Sequence, residues 1–284
     1  MATPHDLATN LTDTANSGGA PWAIATYALT RRFGDILAAD HVELRVPCGA
    51  IFGLLGPNGA GKSTTIKMLT TLLEPSSGTA DVAGFDILRA PAQVRRRIGY
   101  VPQMLSADGS LSGYENLDLS ARLYGIGRRD RKARIEEALE FMGLIDAGNK
   151  MVRTYSGGMI RRLEVAQAML HRPAILFLDE PTIGLDPVAR RTVWERLLEL
   201  RQRYQMTVLI TTHGMDEADE LCDTLAVMHL GKVAVVGKPS DLKASIGPDA
   251  NLEDVFVHYS GGTIQEEGSY RDVARTRRTA SRLG

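Results

Sequence analysis

Residues 56–64 read Gly56-Pro57-Asn58-Gly59-Ala60-Gly61-Lys62-Ser63-Thr64 and match the phosphate-loop pattern GxxxxGK[ST]. The glycines let the backbone turn its N–H groups inward around an anion, and the helix that follows points its positive end at the same anion. Lys62 can reach terminal phosphates, and the Ser63 hydroxyl can hold Mg²⁺. The segment therefore predicts a nucleoside triphosphate site.

The sequence on both sides of this loop is typical of an α/β core. Residues 51–55 form an apolar run that indicates a buried strand, and residues 65–69 have the composition of a helix. Apolar runs at 174–178 and 206–211 predict two further strands buried on both faces, as in a parallel sheet. An amphipathic helix is predicted at 190–203, between those two strands. The loop thus joins a strand to a helix, which is the context that phosphate binding requires.

Two other regions depart from this alternation of strands and helices. Short strands are predicted at 25–29, 41–46 and 79–82. Residues 111–170 change to a helical pattern, and residues 129–142 place apolar side chains on one face and charged side chains on the other. We therefore predict an antiparallel β subdomain and an inserted α-helical subdomain beside the α/β core.

The predicted organisation has three regions. Residues 1–22 are mostly small and polar, and we expect them to form a disordered N-terminal tail. Residues 23–240 are predicted to form the nucleotide-binding domain, with its helical subdomain at about 104–170. Residues 241–284 are predicted to be a C-terminal extension that is partly flexible, because its end is rich in glycine, serine and arginine.

The overall charge of the chain is nearly balanced. It has 33 lysines and arginines against 34 acidic residues, a net charge of -1. General nucleic-acid binding would show a basic excess, so no nucleic-acid partner is expected. No apolar run approaches the roughly 20 residues of a membrane-spanning helix.

Two adjacent carboxylates, Asp179 and Glu180, directly follow the apolar run at 174–178. Two acids crowded at the end of a buried strand are costly unless they have a task. Behind a phosphate loop, Asp179 fits a partner of Mg²⁺, and Glu180 fits the group that orients or deprotonates the attacking water. Without the phosphate loop, the pair would equally fit an acidic strand end that faces solvent.

A second glycine-rich turn, Tyr155-Ser156-Gly157-Gly158-Met159, precedes a predicted helix at 160–170. The Ser-Gly-Gly turn can cap the start of this helix and offers a second anion site in the same chain. Taken alone, the three residues Ser-Gly-Gly would be interpreted as an ordinary helix cap. Their position shortly before the strand that carries Asp179 and Glu180 favours a functional role.

Together these motifs resemble the nucleotide-binding subunit of ATP-binding cassette (ABC) transporters. The resemblance covers about residues 24–239. It implies an α/β fold with a P-loop NTPase core of the RecA-like kind. The motifs that carry it, in the family's order and spacing, are the Walker A loop at 56–64, the lone Gln103, the signature at 155–159, the Walker B strand followed by Glu180, Asp186, and His213.

The resemblance implies a role for each matched position. Glu180 would be the general base, His213 would contact the γ-phosphate, and Gln103 would sense the attacking water, with Lys62 as a further catalytic residue. Mg²⁺ would be held by Ser63, Gln103 and Asp179. The residues expected to bind ATP are Phe33, which falls where the family stacks an aromatic ring on adenine, together with Gly56, Asn58, Gly59, Ala60, Gly61, Lys62, Ser63, Thr64, Ser156, Gly157, Gly158 and Asp186.

The resemblance also implies a head-to-tail dimer. In the family, the signature Ser-Gly-Gly binds the γ-phosphate held by the other copy's Walker A loop, and Asp186 would cross the same interface. Two ATP molecules would then join two copies of this chain. The commonest signature has leucine and glutamine where this chain has Tyr155 and Met159, and Phe33 replaces the more frequent tyrosine, although it can still stack.

Three features resemble the daunorubicin-resistance type of exporter ATPase: the single cassette, the Tyr-Ser-Gly-Gly-Met signature and Leu252-Glu253-Asp254-Val255-Phe256. This resemblance implies export of an amphiphilic drug, antibiotic or lipid through a separate polytopic membrane permease, with the ATPase at the cytoplasmic face of the membrane. Residues 104–116 fall where the family docks that permease.

Other functions stay open at this point. An importer ATPase shares the same motifs. A soluble ABC-type ATPase of translation would usually carry two cassettes in one chain, and one of DNA repair would carry a long coiled coil, for which no sustained heptads are present.

Overall fold

The computed structural model describes residues 22–261 of the chain. The predicted N-terminal tail, apart from Trp22, lies outside the described residues, as does the predicted extension beyond Gly261. Within residues 22–261, no helix combines the length and apolar character needed to cross a membrane.

The described residues form a mixture of strands and helices, which alternate one by one from residue 175 to residue 229. In chain order they are β1 (Trp22–Phe33), β2 (Ile36–Val42), β3 (Arg45–Pro47), β4 (Ile51–Leu55), α1 (Lys62–Leu69), β5 (Ser77–Val82), β6 (Phe85–Asp86), α2 (Pro91–Arg97), β7 (Ile98–Val101), α3 (Gly113–Leu123), α4 (Arg128–Phe141), α5 (Gly157–Met169), β8 (Ile175–Asp179), α6 (Pro187–Tyr204), β9 (Thr207–Thr212), α7 (Met215–Leu221), β10 (Thr224–His229), β11 (Lys232–Gly237), α8 (Pro239–Ile246) and α9 (Leu252–Ser260).

The central sheet has six strands in the order β11-β10-β4-β9-β8-β7. The five strands from β10 to β7 are parallel, and β11 returns antiparallel beside β10. Every residue of β4, β8 and β9 is buried, because other elements cover both faces of the sheet. These are the three strands that the continuous apolar runs predict.

A second, antiparallel sheet has the order β2-β1-β5-β6, with β3 also paired to β1. It is the predicted antiparallel β subdomain. The single strand expected at 41–46 is wrong in detail, because β2 ends at Val42 and β3 begins at Arg45. His41, inside β2, has a left-handed backbone with φ of 48°, in the stretch where the pairing of β1 with β2 shifts register.

The helical insertion lies between β7 and β8, which are neighbours in the central sheet. It consists mainly of α3, α4 and α5. A capping box formed by Ser112 and Glu115 starts α3. Ser156 caps α5 by accepting a hydrogen bond from the Met159 N–H, so this helix begins three residues before the predicted 160–170.

Two hydrophobic clusters lie on opposite faces of the central sheet. Successive side chains of β4 alternate between them: Ile51 and Leu55 belong to the cluster shared with the helical insertion, and Phe52 and Leu54 belong to the cluster shared with the antiparallel sheet. The strand before the phosphate loop, β4, therefore packs against both subdomains, one on each face of the central sheet.

The last described helices, α8 and α9, belong to this core. The predicted C-terminal extension begins at residue 241, whereas α8 begins at Pro239 and packs on α9. The side chains Leu252, Val255 and Phe256 of α9 are buried in the same cluster as β4 and the helical insertion. Residues up to Ser260 therefore contribute to the stability of the domain.

This packing predicts that Phe256→Ala will lower the free energy of unfolding by about 3–5 kcal/mol, because it leaves a cavity in a shared core. The neighbouring Val257, which is 39% exposed, provides the matched control Val257→Ala. Denaturant unfolding of the full chain measures both. A loss for Phe256→Ala no larger than that of the control would mean that α9 is not part of the cooperative unit.

Candidate active site

Three strand ends meet at one edge of the central sheet, where β4, β9 and β8 are consecutive neighbours. Leu55 at the end of β4 pairs with Thr212, and Asp179 at the end of β8 pairs with Thr211. The phosphate loop, Glu180 and His213 each follow directly after these ends. In open α/β sheets, ligands bind at the carboxyl ends of the strands, which is where this chain gathers its polar groups.

The backbone of the loop has the shape of an anion cradle. Gly59 and Gly61 have φ values of 82° and 100°, which favour glycine over other residues. A Cβ at Gly61 would collide with the Ala38 carbonyl oxygen, and a Cβ at Gly56 would collide with that of Met228. The first turn of α1 has no side-chain cap at Gly61, so its N–H groups suit the oxygens of a phosphate.

Lys62 places a buried cation beside this loop. Its Nζ donates hydrogen bonds to the carbonyl oxygens of Gly56 (2.8 Å) and Pro57 (3.1 Å) and lies 3.2 Å from Glu180 Oε1. Burial lowers the pKa of the Lys62 ammonium, and the nearby Glu180 carboxylate opposes that effect. The lysine is thus held at the phosphate loop by groups that compensate its charge.

The Asp179 carboxylate accepts hydrogen bonds from two hydroxyl groups on different segments. Its Oδ1 accepts a hydrogen bond from Ser63 Oγ (2.9 Å) and another from Thr211 Oγ1 (2.6 Å). Burial, together with the Asp179 carboxylate, raises the pKa of the nearby Tyr100 phenol to about 12. Carboxylate and hydroxyl oxygens are the donors that Mg²⁺ prefers, so Asp179 and Ser63 fit this ion.

Glu180 is the point on which the predicted catalytic groups converge. Its carboxylate is buried and contacts Lys62, accepts a hydrogen bond from Gln103 Nε2 (3.2 Å) and lies 3.4 Å from His213 Nδ1. Its φ is 48°, a costly conformation for a non-glycine residue, and its N–H donates to Thr211 Oγ1 (2.9 Å). The fold thus holds the carboxylate of a residue with a strained backbone among the phosphate loop, Gln103 and His213.

A pocket of about 700 Å³ opens over the phosphate loop. Phe33 lines it and is 45% exposed, with the Arg31 guanidinium 4.6 Å from the ring centre; its stacking on adenine stays a prediction. The lining also includes Ile36 and Leu230, which the sequence analysis did not identify. Of the predicted site residues, those that line it are Phe33, Asn58, Gly59, Ala60, Gly61, Lys62, Ser63, Thr64, Gln103 and Glu180.

The signature residues and Asp186 lie elsewhere on the chain. Ser156, Gly157, Gly158 and Asp186 are not among the described residues that line this pocket. Asp186 Oδ1 accepts hydrogen bonds from the first N–H groups of α6 and thereby caps that helix. Gly157 and Gly158 pack close to Leu185 and Ala189, so the starts of α5 and α6 form one surface. Within one chain, the predicted ATP-binding residues therefore fall into two groups: those of the phosphate pocket, and those at the starts of α5 and α6.

Two residues with a part in the site are absent from the sequence-based prediction. Thr211 joins Asp179 to the Glu180 backbone, as described above. Glu217 is buried in α7, where it accepts hydrogen bonds from Thr182 Oγ1 (2.7 Å), Trp194 Nε1 (2.9 Å) and Thr212 Oγ1. It fixes the segments that follow Glu180 and precede His213. In the sequence, Glu217 is simply an acidic residue shortly after a predicted strand. An acidic residue on the solvent-exposed face of a helix would look the same.

Comparison with known proteins agrees with this architecture. The family model described as ABC transporter matches residues 39–183. The daunorubicin/doxorubicin resistance ATP-binding protein DrrA of Streptomyces peucetius is 46% identical over 245 residues, covering 86% of this chain and 73% of that protein. The Nod factor export ATP-binding protein I of Cupriavidus metallidurans is 44% identical over 218 residues, covering 76% of this chain and 72% of that protein.

A solved structure of an ATP-binding cassette, described as a dimeric post-hydrolysis state bound to ADP and Pi, superposes with a TM-score of 0.69. It is 25% identical and covers 76% of this chain and 98% of that one. The predicted P-loop NTPase fold and the resemblance to daunorubicin-resistance ATPases are thereby confirmed. On these grounds, the chain belongs to the ABC transporter family and is an ATPase.

Proposed function

We propose that two copies of this chain bind Mg²⁺ and ATP between them and drive export through a separate membrane permease. The observation that carries the catalytic part is the convergence of Lys62, Gln103 and His213 on the buried Glu180. The export part is supported by relatives whose names refer to drug resistance and to export. We expect the cargo to be an amphiphilic drug, antibiotic or lipid.

In this proposal the groups around Glu180 divide the work of hydrolysis. Glu180 accepts a proton from the attacking water, and Gln103 orients that water. Lys62 and the loop N–H groups bind the phosphates, while His213 holds the terminal phosphate against Glu180. Ser63, Asp179 and Gln103 would hold Mg²⁺, which supplies positive charge to the phosphate oxygens when it is bound.

The division of the site supports a dimer. Ser156 and Gly157 are exposed, next to the start of α6 where Asp186 lies, and they stand apart from the lining of the chain's own phosphate pocket. In the head-to-tail arrangement, this surface of one copy would cover the phosphate loop of the other. A cassette structure to which this chain is similar is described as dimeric, which supports a dimer but does not give its arrangement.

The surface around the helical insertion supports a membrane partner. Met104 and Leu105 follow Gln103 and are 81% and 52% exposed, and Leu123 at the end of α3 is 79% exposed. Met104 and Leu105 are consecutive, and adjacent exposed apolar side chains favour a binding surface. We propose that the permease docks here and holds the ATPase at the cytoplasmic face of the membrane.

The role of Glu180 predicts that Glu180→Gln will retain ATP binding and lose turnover by about 100-fold or more, because the amide cannot accept the proton. Glu195→Gln is the matched control, since Glu195 is an exposed acid paired with Arg191 on α6. ATP turnover and nucleotide binding measure the effect. If Glu180→Gln hydrolyses ATP at the wild-type rate, Glu180 is not the general base.

The divided site predicts that Ser156→Arg will prevent ATP-dependent dimerisation without abolishing ATP binding. We would introduce it into Glu180→Gln, which should form a stable dimer with ATP and Mg²⁺, and measure mass by gel filtration. Ser240→Arg, on the exposed start of α8, is the control and should leave the dimer intact. A dimer of normal stability with Ser156→Arg would contradict the contribution of the signature to the other copy's site.

The docking surface predicts that Met104→Glu will weaken the association with the permease, because it places a charge in an apolar contact. The tagged chain would be purified from cell membranes in mild detergent, with Leu72→Glu as a control at another exposed apolar position. A polytopic membrane protein that is retained by the control and lost by Met104→Glu is the expected result. Recovery of ribosomes or DNA complexes instead would favour an ABC-type ATPase of translation or repair.

A further inference from the structure

The segment that carries Gln103 is held by a buried ion pair on α5. Arg161 Nη1 lies 3.0 Å from Glu164 Oε2, and both side chains are only 2% exposed. The pair lies under residues 102–107, which follow β7 and lead into the helical insertion. The arrangement therefore connects the helix that starts at the signature with the residue that contacts Glu180.

The ion pair contacts both ends of this segment. Arg161 donates to the carbonyl oxygens of Pro102 (2.7 Å) and Gln103 (2.8 Å). Glu164 Oε1 accepts hydrogen bonds from the Ser106 N–H, from Ser106 Oγ (3.1 Å) and from the Ala107 N–H (3.3 Å). Because the backbone on both sides is held in this way, the position of α5 sets the position of Gln103.

The same helix begins at the signature. Ser156 is the cap of α5, and Arg161 and Glu164 lie about one and two turns further along its axis. A helix held by its own backbone hydrogen bonds moves largely as a unit, so a shift at Ser156 is carried to Arg161. At the other end of this path, Gln103 Nε2 donates to Glu180 Oε2 at 3.2 Å.

Stability alone does not explain this ion pair. A buried ion pair pays a desolvation cost, and apolar residues of similar volume are often equally stable or more so. Arg161 Nε is also buried, and within the described part of the chain it has no hydrogen-bond partner. The cost is consistent with a pair that serves to fix the geometry of residues 102–107.

We propose that Arg161, with Glu164, is a positioning residue that couples the signature to Gln103 in the same chain. When Ser156 engages the nucleotide of the partner copy, α5 sets Gln103 against Glu180, so each site responds to occupancy of the other. The inference rests on the roles proposed above for Gln103 and Ser156. It adds that the two sites communicate within each copy through α5.

The test is a double-mutant cycle between Arg161 and Gln103 on the full chain. Arg161→Met should lower kcat for ATP by about tenfold and leave KM within about twofold, because it alters the position of Gln103 and not the phosphate loop. Gln103→Ala should also lower kcat. The double variant should be no slower than Gln103→Ala alone, because Arg161 acts through Gln103.

Each contrary outcome identifies which idea fails. If the two losses multiply, Arg161 acts independently of Gln103 and the coupling is overturned while the role of Gln103 stands. If Gln103→Ala has wild-type kcat, the proposed role of Gln103 fails, and the coupling fails with it. Wild-type kcat in Arg161→Met overturns the coupling alone.

Two further variants separate positioning from folding. The pair replacement Arg161→Met with Glu164→Leu leaves no single unpaired buried charge, so it should lower the thermal unfolding temperature less than Arg161→Met alone and still lower kcat. Lys132→Met removes an exposed ion pair with Glu136 on α4 and should leave kcat unchanged. If the pair replacement folds normally and retains full kcat, the positioning role is excluded.

Discussion

The contact between Lys62 and Glu180 constrains the rest of this molecule. Both side chains are only 4% exposed, and their charged atoms are 3.2 Å apart. Two buried charges are tolerated only where each is close to its partner and bonded to further polar groups. That requirement fixes the loop after β4 against the loop after β8, with β9 between them. The contact between Lys62 and Glu180 therefore depends on the register of these three parallel strands.

The other groups around Glu180 come from different parts of the fold. Gln103 follows β7 and leads into the helical insertion, whereas His213 follows β9 in the central sheet. A displacement of the helical insertion would therefore change the Gln103 contact and leave the Lys62 contact in place. The permease and the second copy proposed above would thereby have a route to Glu180 that does not disturb the phosphate loop.

The sequence predicts most of the fold because its strongest signals are local. The apolar runs identify β4, β8 and β9, and the phosphate loop identifies what lies between β4 and α1. By contrast, β7 has only four residues, too few to show a period, and the polar/apolar alternation of residues 41–46 continues across the break between β2 and β3. Such features depend on tertiary packing and not on composition.

The same distinction applies to the site. Lys62, Asp179 and Glu180 can be inferred from residue type and order, whereas the roles of Gln103, His213 and Phe33 were inferred only from family resemblance. Glu217 and Arg161 were missed because a charged residue on a helix usually faces solvent, and only the three-dimensional structure shows that each is buried against a functional segment.

The pairing of the Lys62 ammonium with the Glu180 carboxylate affects how the site would respond to a nucleotide. In the chain by itself, Glu180 is engaged with a cation and with the Gln103 amide, and the signature stands apart from the pocket. A bound triphosphate carries more negative charge than one carboxylate and would draw the Lys62 ammonium toward its oxygens. With the role proposed above for Glu180, its carboxylate would then be free to accept a proton once the nucleotide is in place. Nucleotide binding and activation of the proposed base would thus be one electrostatic event, and the proposed dimer would still be needed to bring the signature to the phosphate.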